Sequence, residues 1–441
     1  MAQHTATAPT SPAAGTSLNT PQMRRILASS FVGSAVEYYD FLLYAMAAAV
    51  VFNKVFFANL DAGWATFASF GTLAAGYAAR PIGGAIFGHF GDRLGRKKML
   101  ILSMLMMGLA TTAIGLLPTA AAIGVLAPAL LVTLRVIQGI AVGGEWGGAM
   151  LIALEQAPSG KRGFAASFAN MGAPAGAALS TLVMSAMTLL PKAEFLGWGW
   201  RVPFLLSAVL VGLALVIRLK VAESPLFQKL EHAAESRRLP IVEVFSRYPR
   251  ELLLTVLAGV AQFTMAGMVT VWAVSEAVEK GADQTGVLNA KAVAAAAMLA
   301  TTIVSARMCD RFGRKRILVA GIVAAIAAVF PILWLIGMGT VAGYAVAVIL
   351  GQAIQGFLFG PLGAFIAEMF PTRVRYTGSS IAYQVSSTIG AGFTPMIAAG
   401  IIAATSSTTV LGIAWAAALV VCGVGILLAR EGRTRDLASI E

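Results

Sequence analysis

Two near-copies of one basic loop, each set between long apolar runs, constrain this chain more than any other feature. The first reads Gly88-His89-Phe90-Gly91-Asp92-Arg93-Leu94-Gly95-Arg96-Lys97-Lys98, and the second Asp310-Arg311-Phe312-Gly313-Arg314-Lys315-Arg316. Asp92 and Asp310 stand 218 residues apart in a chain of 441. Apolar runs of about 20 residues, each long enough to span a bilayer, recur along the whole sequence. The pattern predicts a helical membrane protein built from two related halves, an architecture that most often moves small molecules across bilayers.

Composition agrees. The chain is 58% hydrophobic and only 12% charged, with a mean hydropathy of +0.81, whereas a soluble domain carries roughly a quarter charged residues. The net charge of +12 does not indicate nucleic acid, because most Lys and Arg fall in the segments on one side of the predicted spans, the loops containing Arg93, Arg96, Arg162, Arg218, Arg247, Arg314 and Arg375 among them. This positive-inside pattern predicts both termini in the cytosol and a multi-pass protein of a bacterial cytoplasmic (inner) membrane. Two cysteines, Cys309 and Cys422, in separate spans suggest neither a disulfide framework nor a metal site, and the sequence gives no sign of a cofactor.

Twelve spans are predicted, six in each half. Residues 1–25 read as a disordered cytosolic lead, 26–219 as the first six-helix half and 220–250 as a cytosolic linker with a short amphipathic helix. Residues 251–429 read as the second half and 430–441 as a cytosolic tail. The repeat extends beyond the loops: Gln138-Gly139 returns as Gln355-Gly356, and Glu155-Gln-Ala-Pro158 with Arg162 returns as Glu368-Met-Phe-Pro371 with Arg375. Six spans return the chain to its starting side, so the halves are parallel repeats about an axis along the membrane normal.

The loop motif, its second copy and the Glu-x-x-Pro-x-x-x-Arg endings resemble the major facilitator superfamily. Narrower motifs resemble its metabolite:proton symporter branch, which includes shikimate, citrate, 2-oxoglutarate and proline/betaine carriers. These motifs are Val36-Glu37-Tyr38-Tyr39-Asp40-Phe41, Arg80-Pro81-Ile82-Gly83-Gly84, and Arg135-Val-Ile-Gln138-Gly139 followed by Gly143-Gly144-Glu145-Trp146-Gly147-Gly148. The resemblance implies an all-α fold of twelve transmembrane helices in two pseudo-symmetric halves, alternating access and a functional monomer. It also implies that a carboxylate at Asp40 faces an arginine at Arg135.

Ionisable groups inside a span cost at least a few kcal/mol and need a partner or a wet cavity. Glu37 and Asp40, three apart, share one helical face, with Tyr44 a turn further. Asp40 is read as the proton carrier and Arg135 as its gate, since pairing favours the ionised carboxylate and separation in an apolar cavity the protonated one. Glu37 is the true proton site, a second titrating partner or a ligand for a substrate amine or hydroxyl. Arg80 either clamps a substrate carboxylate or neutralises Glu37 or Glu145. Gly139, Gly143 and Gly147 permit close helix packing, which leaves Glu145 in need of a structural partner, Arg80 or a nearby backbone. Tyr44, Gln138, Glu145, Trp146, Gln262, Trp272, Gln355, Tyr383 and Gln384 are the remaining candidates for the substrate cavity. Gln352 occupies the repeat position of Arg135, so coupling is expected in the first half and selectivity partly in the second.

The loops read as gates. Asp92 is expected to cap a neighbouring helix, and Arg93 and Arg96 to pair with Glu155 or Glu368. Arg162, Asp310, Arg311, Arg314 and Arg375 repeat the theme. No nucleophile motif, phosphate loop or metal cluster points to an enzyme. The expectation is proton-coupled uptake of a small organic acid, such as shikimate or a mono-, di- or tricarboxylate. Uptake of a zwitterionic osmolyte such as proline or betaine is the alternative, disfavoured by a tail too short for the coiled coil of the osmosensing carriers, and efflux antiport is the weaker rival.

Overall fold

A computed structural model describes residues 18, 20–60, 62–220 and 240–432. Among them the secondary structure is helical, with no strand. The predicted lead before residue 18, the tail beyond 432 and linker residues 221–239 lie outside the described residues.

The first half consists of α1 (Pro21–Ala47), α2 (Ala62–Leu94), α3 (Arg96–Leu116), α4 (Leu126–Gln156), α5 (Phe168–Thr188) and α6 (Arg201–Leu219). The second consists of α7 (Pro249–Gly267), α8 (Gln284–Phe312), α9 (Arg314–Gly337), α10 (Val341–Glu368), α11 (Arg375–Ser387) and α12 (Thr408–Leu428). Nine described helical segments are apolar and long enough to cross a membrane. α1 begins five residues before the expected span: Pro21, with no amide hydrogen to lose, opens it, and the Thr20 side chain accepts from the Met23 amide. Between the halves, the helix Pro240–Arg247 packs on α2, α7 and α11 and is tied to the second half by an Arg373–Glu243 ion pair of 2.7 Å.

The two repeated loops are single-residue turns. Gly95 and Gly313 hold φ of 104° and 100°, a conformation open to glycine and costly for other residues, and each reverses the chain between consecutive helices. Within the first half, α2 and α4 touch backbone to backbone. A methyl added at Gly139 would land on the Gly76 carbonyl, and one at Gly143 on the Arg80 carbonyl. This close approach brings the Arg80 and Arg135 side chains to one place. α1, α7 and α11 each pass through a π turn, at Ala48–Phe52, Met268–Trp272 and Thr388–Phe393.

Candidate substrate and proton site

The first half contains a small cleft lined by Asp40, Phe41, Arg80, Arg135, Gln138 and neighbouring small and apolar residues. α1 supplies Asp40, α2 Arg80, and α4 both Arg135 and Gln138. Four of the residues selected from the sequence therefore meet, and all four are at least nine-tenths buried.

The expected direct Asp40–Arg135 contact is replaced by a hydrogen-bonded chain. Thr111 donates to Asp40 Oδ2 at 2.9 Å, Gln138 donates to Thr111 at 2.7 Å, and Arg135 donates to Gln138 Oε1 at 3.2 Å. Arg135 also lies 4.0 Å over the Tyr44 ring and 4.8 Å from that of Phe41. Tyr44 itself donates to Thr72, so it seats the arginine and is turned away from the cleft. Asp40 Oδ1 and Arg135 Nη2 have no hydrogen-bond partner. Arg80 stacks on Phe41 at 4.2 Å and Tyr77 at 4.6 Å and makes no ion pair among the described residues. Each such stack is worth up to about 2 kcal/mol when desolvated, which holds the guanidinium plane while leaving its edge available.

Glu145 does not bond Arg80. Its partner is Arg218 of α6, at 2.9 Å, with side chains 0% and 3% exposed. Arg218, which the sequence placed with the linker charges, is thus an interior residue. Trp146 donates to Asn170 at 2.7 Å and stacks on Tyr383 of the other half, ring centres 3.5 Å apart and planes 11° from parallel. Tyr383 further meets the Tyr38 hydroxyl at 3.3 Å and the Phe263 ring edge-on, and Gln384 donates to the carbonyls of Val142 and Gly143. These residues close the interface between the halves. Gln262, Trp272 and Gln355 are buried in the second half and do not line the cleft.

At the loop face, Asp92 accepts from the amides of Tyr376 and Thr377 at the start of α11. Asp310 accepts from those of Gly163 and Phe164, in the short helix Arg162–Ala166 that precedes α5, both at 2.8 Å. The two repeated acids each hold an arginine. Glu155 pairs with Arg375 at 2.9 Å, and Glu368 with Arg314 at 3.0 Å, all four at most 2% exposed. Arg314 also pairs with Asp310, and Arg162 adds its charge near Glu368. Arg93 and Arg311 are exposed, so neither forms these contacts, and the Arg96 side chain lies outside the described residues. Glu431, not selected from the sequence, accepts from the Arg314 and Lys315 amides at the start of α9.

A family model described as Major Facilitator Superfamily matches residues 26–395. The chain belongs to that superfamily. It is 40% identical over 406 residues to the shikimate transporter of Escherichia coli K12, covering 89% of this chain and 91% of the relative. It is 39% identical to the inner membrane metabolite transport protein YhjE of the same organism, over 85% and 87% of the two chains. The Escherichia coli K12 proline/betaine transporter matches at 31%, over 86% and 78%. The superfamily fold is shared with the proton:xylose symporter XylE bound to 6-bromo-6-deoxy-D-glucose, with a TM-score of 0.81 at 18% identity, covering 96% of this chain and 99% of that one. The superfamily consists of membrane carriers, and this chain is one of them rather than an enzyme.

Proposed function

We propose that this carrier imports a small organic acid together with protons across a bacterial inner membrane, acting as a monomer with both termini and the repeated loops in the cytosol. The observation that carries this reading is the charge arrangement in the cleft: two buried arginines, Arg80 and Arg135, share it with one carboxylate, Asp40. A stacked guanidinium with an open edge suits a carboxylate, which it grips through two parallel hydrogen bonds. The similarity to a shikimate transporter supports the same class of cargo.

Asp40 is the coupling group in this scheme. Protonation removes the charge that the Thr111–Gln138–Arg135 chain steadies, and the loaded, less charged cleft can then pass through the apolar transition between the two access states. The paired acids and capped helices at the loop face hold the cytosolic side shut while substrate and proton enter from the other side. Their release accompanies reorientation.

The test is uptake into proteoliposomes under an imposed inward proton gradient, with labelled shikimate, 2-oxoglutarate, citrate, a short monocarboxylate, proline and betaine. Uncoupler-sensitive accumulation of an acid is the expected result. Accumulation of proline or betaine alone would replace the organic acid by a zwitterion, a reading that the 31% identity to a proline/betaine transporter keeps on the panel. Uptake indifferent to the gradient would remove the proton from the mechanism.

A further inference from the structure

Behind the cleft lies a second group of buried charges that the transport scheme above does not use. A methyl placed on Gly33 of α1 would overlap Arg218 Nη2 and come within 3.2 Å of Glu145 Oε1. Glu37 is one turn beyond Gly33, and side chains on a helix lean back over the preceding turn, so its carboxylate is directed at the same spot. Three polar atoms there have no hydrogen-bond partner: Glu37 Oε2, Glu145 Oε2 and Arg218 Nη2. All three side chains are at most 5% exposed. The charges that act on Glu37 are those of Glu145 from α4, Arg80 from α2 and Arg218 from α6. α5, the helix packed most extensively on α1, contains no ionisable residue.

We propose that Glu37 and Glu145 form a second proton site, in which the two carboxylates hold one proton between them over Arg218. Arg80 stacks away without an ion pair to Glu37, so the two carboxylates share the single guanidinium of Arg218, and one shared proton makes that group of three neutral. The arrangement also accounts for Arg80. With a proton on the pair, Glu37 has no net charge to offer, and Arg80 stays without a counter-ion, as its stacked and unpaired geometry requires. When the pair loses that proton, Glu37 becomes the counter-ion of Arg80 and competes with an anionic substrate. Proton on the pair and carboxylate on Arg80 therefore bind together, a reciprocal coupling between two sites. This use in the cycle rests on the organic-acid symport reading, while the existence of the site does not.

The experiment is infrared spectroscopy of the purified carrier at neutral pH, following the carbonyl stretch of protonated carboxyl groups and its shift in deuterium oxide. An Asp40→Asn variant serves as the background, so that any proton on Asp40 is removed from the spectrum. A buried carboxylic acid band is expected in that background, and either Glu37→Gln or Glu145→Gln should abolish it, because the remaining carboxylate then pairs with Arg218 and ionises. If the Gln variants do not fold, Glu37→Asp and Glu145→Asp should each move the band rather than delete it. A background without the band, or a band that survives all of these changes in place, overturns the site. The band together with uptake that ignores the proton gradient keeps the site and defeats the symport reading instead.

Discussion

Asp92 holds two backbone amides at the start of α11 and Asp310 holds two in the short helix Arg162–Ala166 before α5, while Glu155–Arg375 answers Glu368–Arg314. Deeper in the molecule this correspondence fails. The first half buries Glu37, Asp40, Arg80, Arg135 and Glu145, but the second offers Gln262, Gln352 and Gln355. A gate needs a matched device on each moving body, since either half can spring open. A coupling site needs charge in one place only, and each further buried charge adds a desolvation cost of a few kcal/mol. Under the proposed scheme, the halves keep their symmetry where both must act and lose it where one suffices.

The largest expected effect tests the matched part. Arg375→Gln takes from the buried Glu155 carboxylate its 2.9 Å partner, and Arg314→Gln takes from Glu368 its 3.0 Å partner; each should lower the stability of the purified carrier by about 3–5 kcal/mol. Thermal unfolding in detergent measures both, and a large loss from only one would break the equivalence of the two gates. Next comes an attempt to restore symmetry in the interior. Gln352→Arg puts into the second half the charge that Arg135 supplies in the first, with no acid prepared for it, at a cost of about 3 kcal/mol. A variant as stable as the parent would mean that the asymmetry has no energetic basis.

Function gives the third test. Asp40→Asn should cut gradient-driven accumulation about a hundredfold, equivalent to ~2.7 kcal/mol, while exchange of labelled for unlabelled substrate continues. Accumulation that persists in this variant would move the coupling out of the cleft. The smallest effect concerns the caps: Asp92→Ala and Asp310→Ala each forfeit a helix cap worth about 1 kcal/mol, read as a small fall in melting temperature. Asp310→Ala also strips a partner from Arg314, and Asp92→Ala one from the Thr377 hydroxyl.

The two-half architecture was legible because it rests on apolar length and on a loop whose glycine, at positive φ, tolerates few replacements. The cleft was legible in part, since an Asp or Arg inside an apolar run has to be explained. Partner choice was not. Glu145 bonds Arg218 rather than Arg80 because α6 packs beside α1 and α3, a tertiary fact that leaves no trace in local spacing, and Arg218 sits two residues from Lys220 where an apolar run gives way to charge. Thr111, which joins Asp40 to Gln138, had no signal, because a threonine in a span usually bonds its own helix, and the Met107 carbonyl stands 2.9 Å from this hydroxyl as the competing acceptor. Arg93 is exposed and meets neither Glu155 nor Glu368, whereas Arg375 and Arg314, which the repeat also marked, hold those acids.

The helix caps cross between the halves: the acid of the first serves an amide pair of the second, and the acid of the second serves one of the first. Residue i meeting j while j′ meets i′ is the rule of an isologous contact between two copies of one subunit. A single six-helix chain bearing this loop could have paired with itself through the same four contacts, giving a two-fold dimer before any linker joined the copies. The covalent fusion then freed each copy to diverge, and the charged cleft on one side only is a divergence that no symmetric dimer could have held.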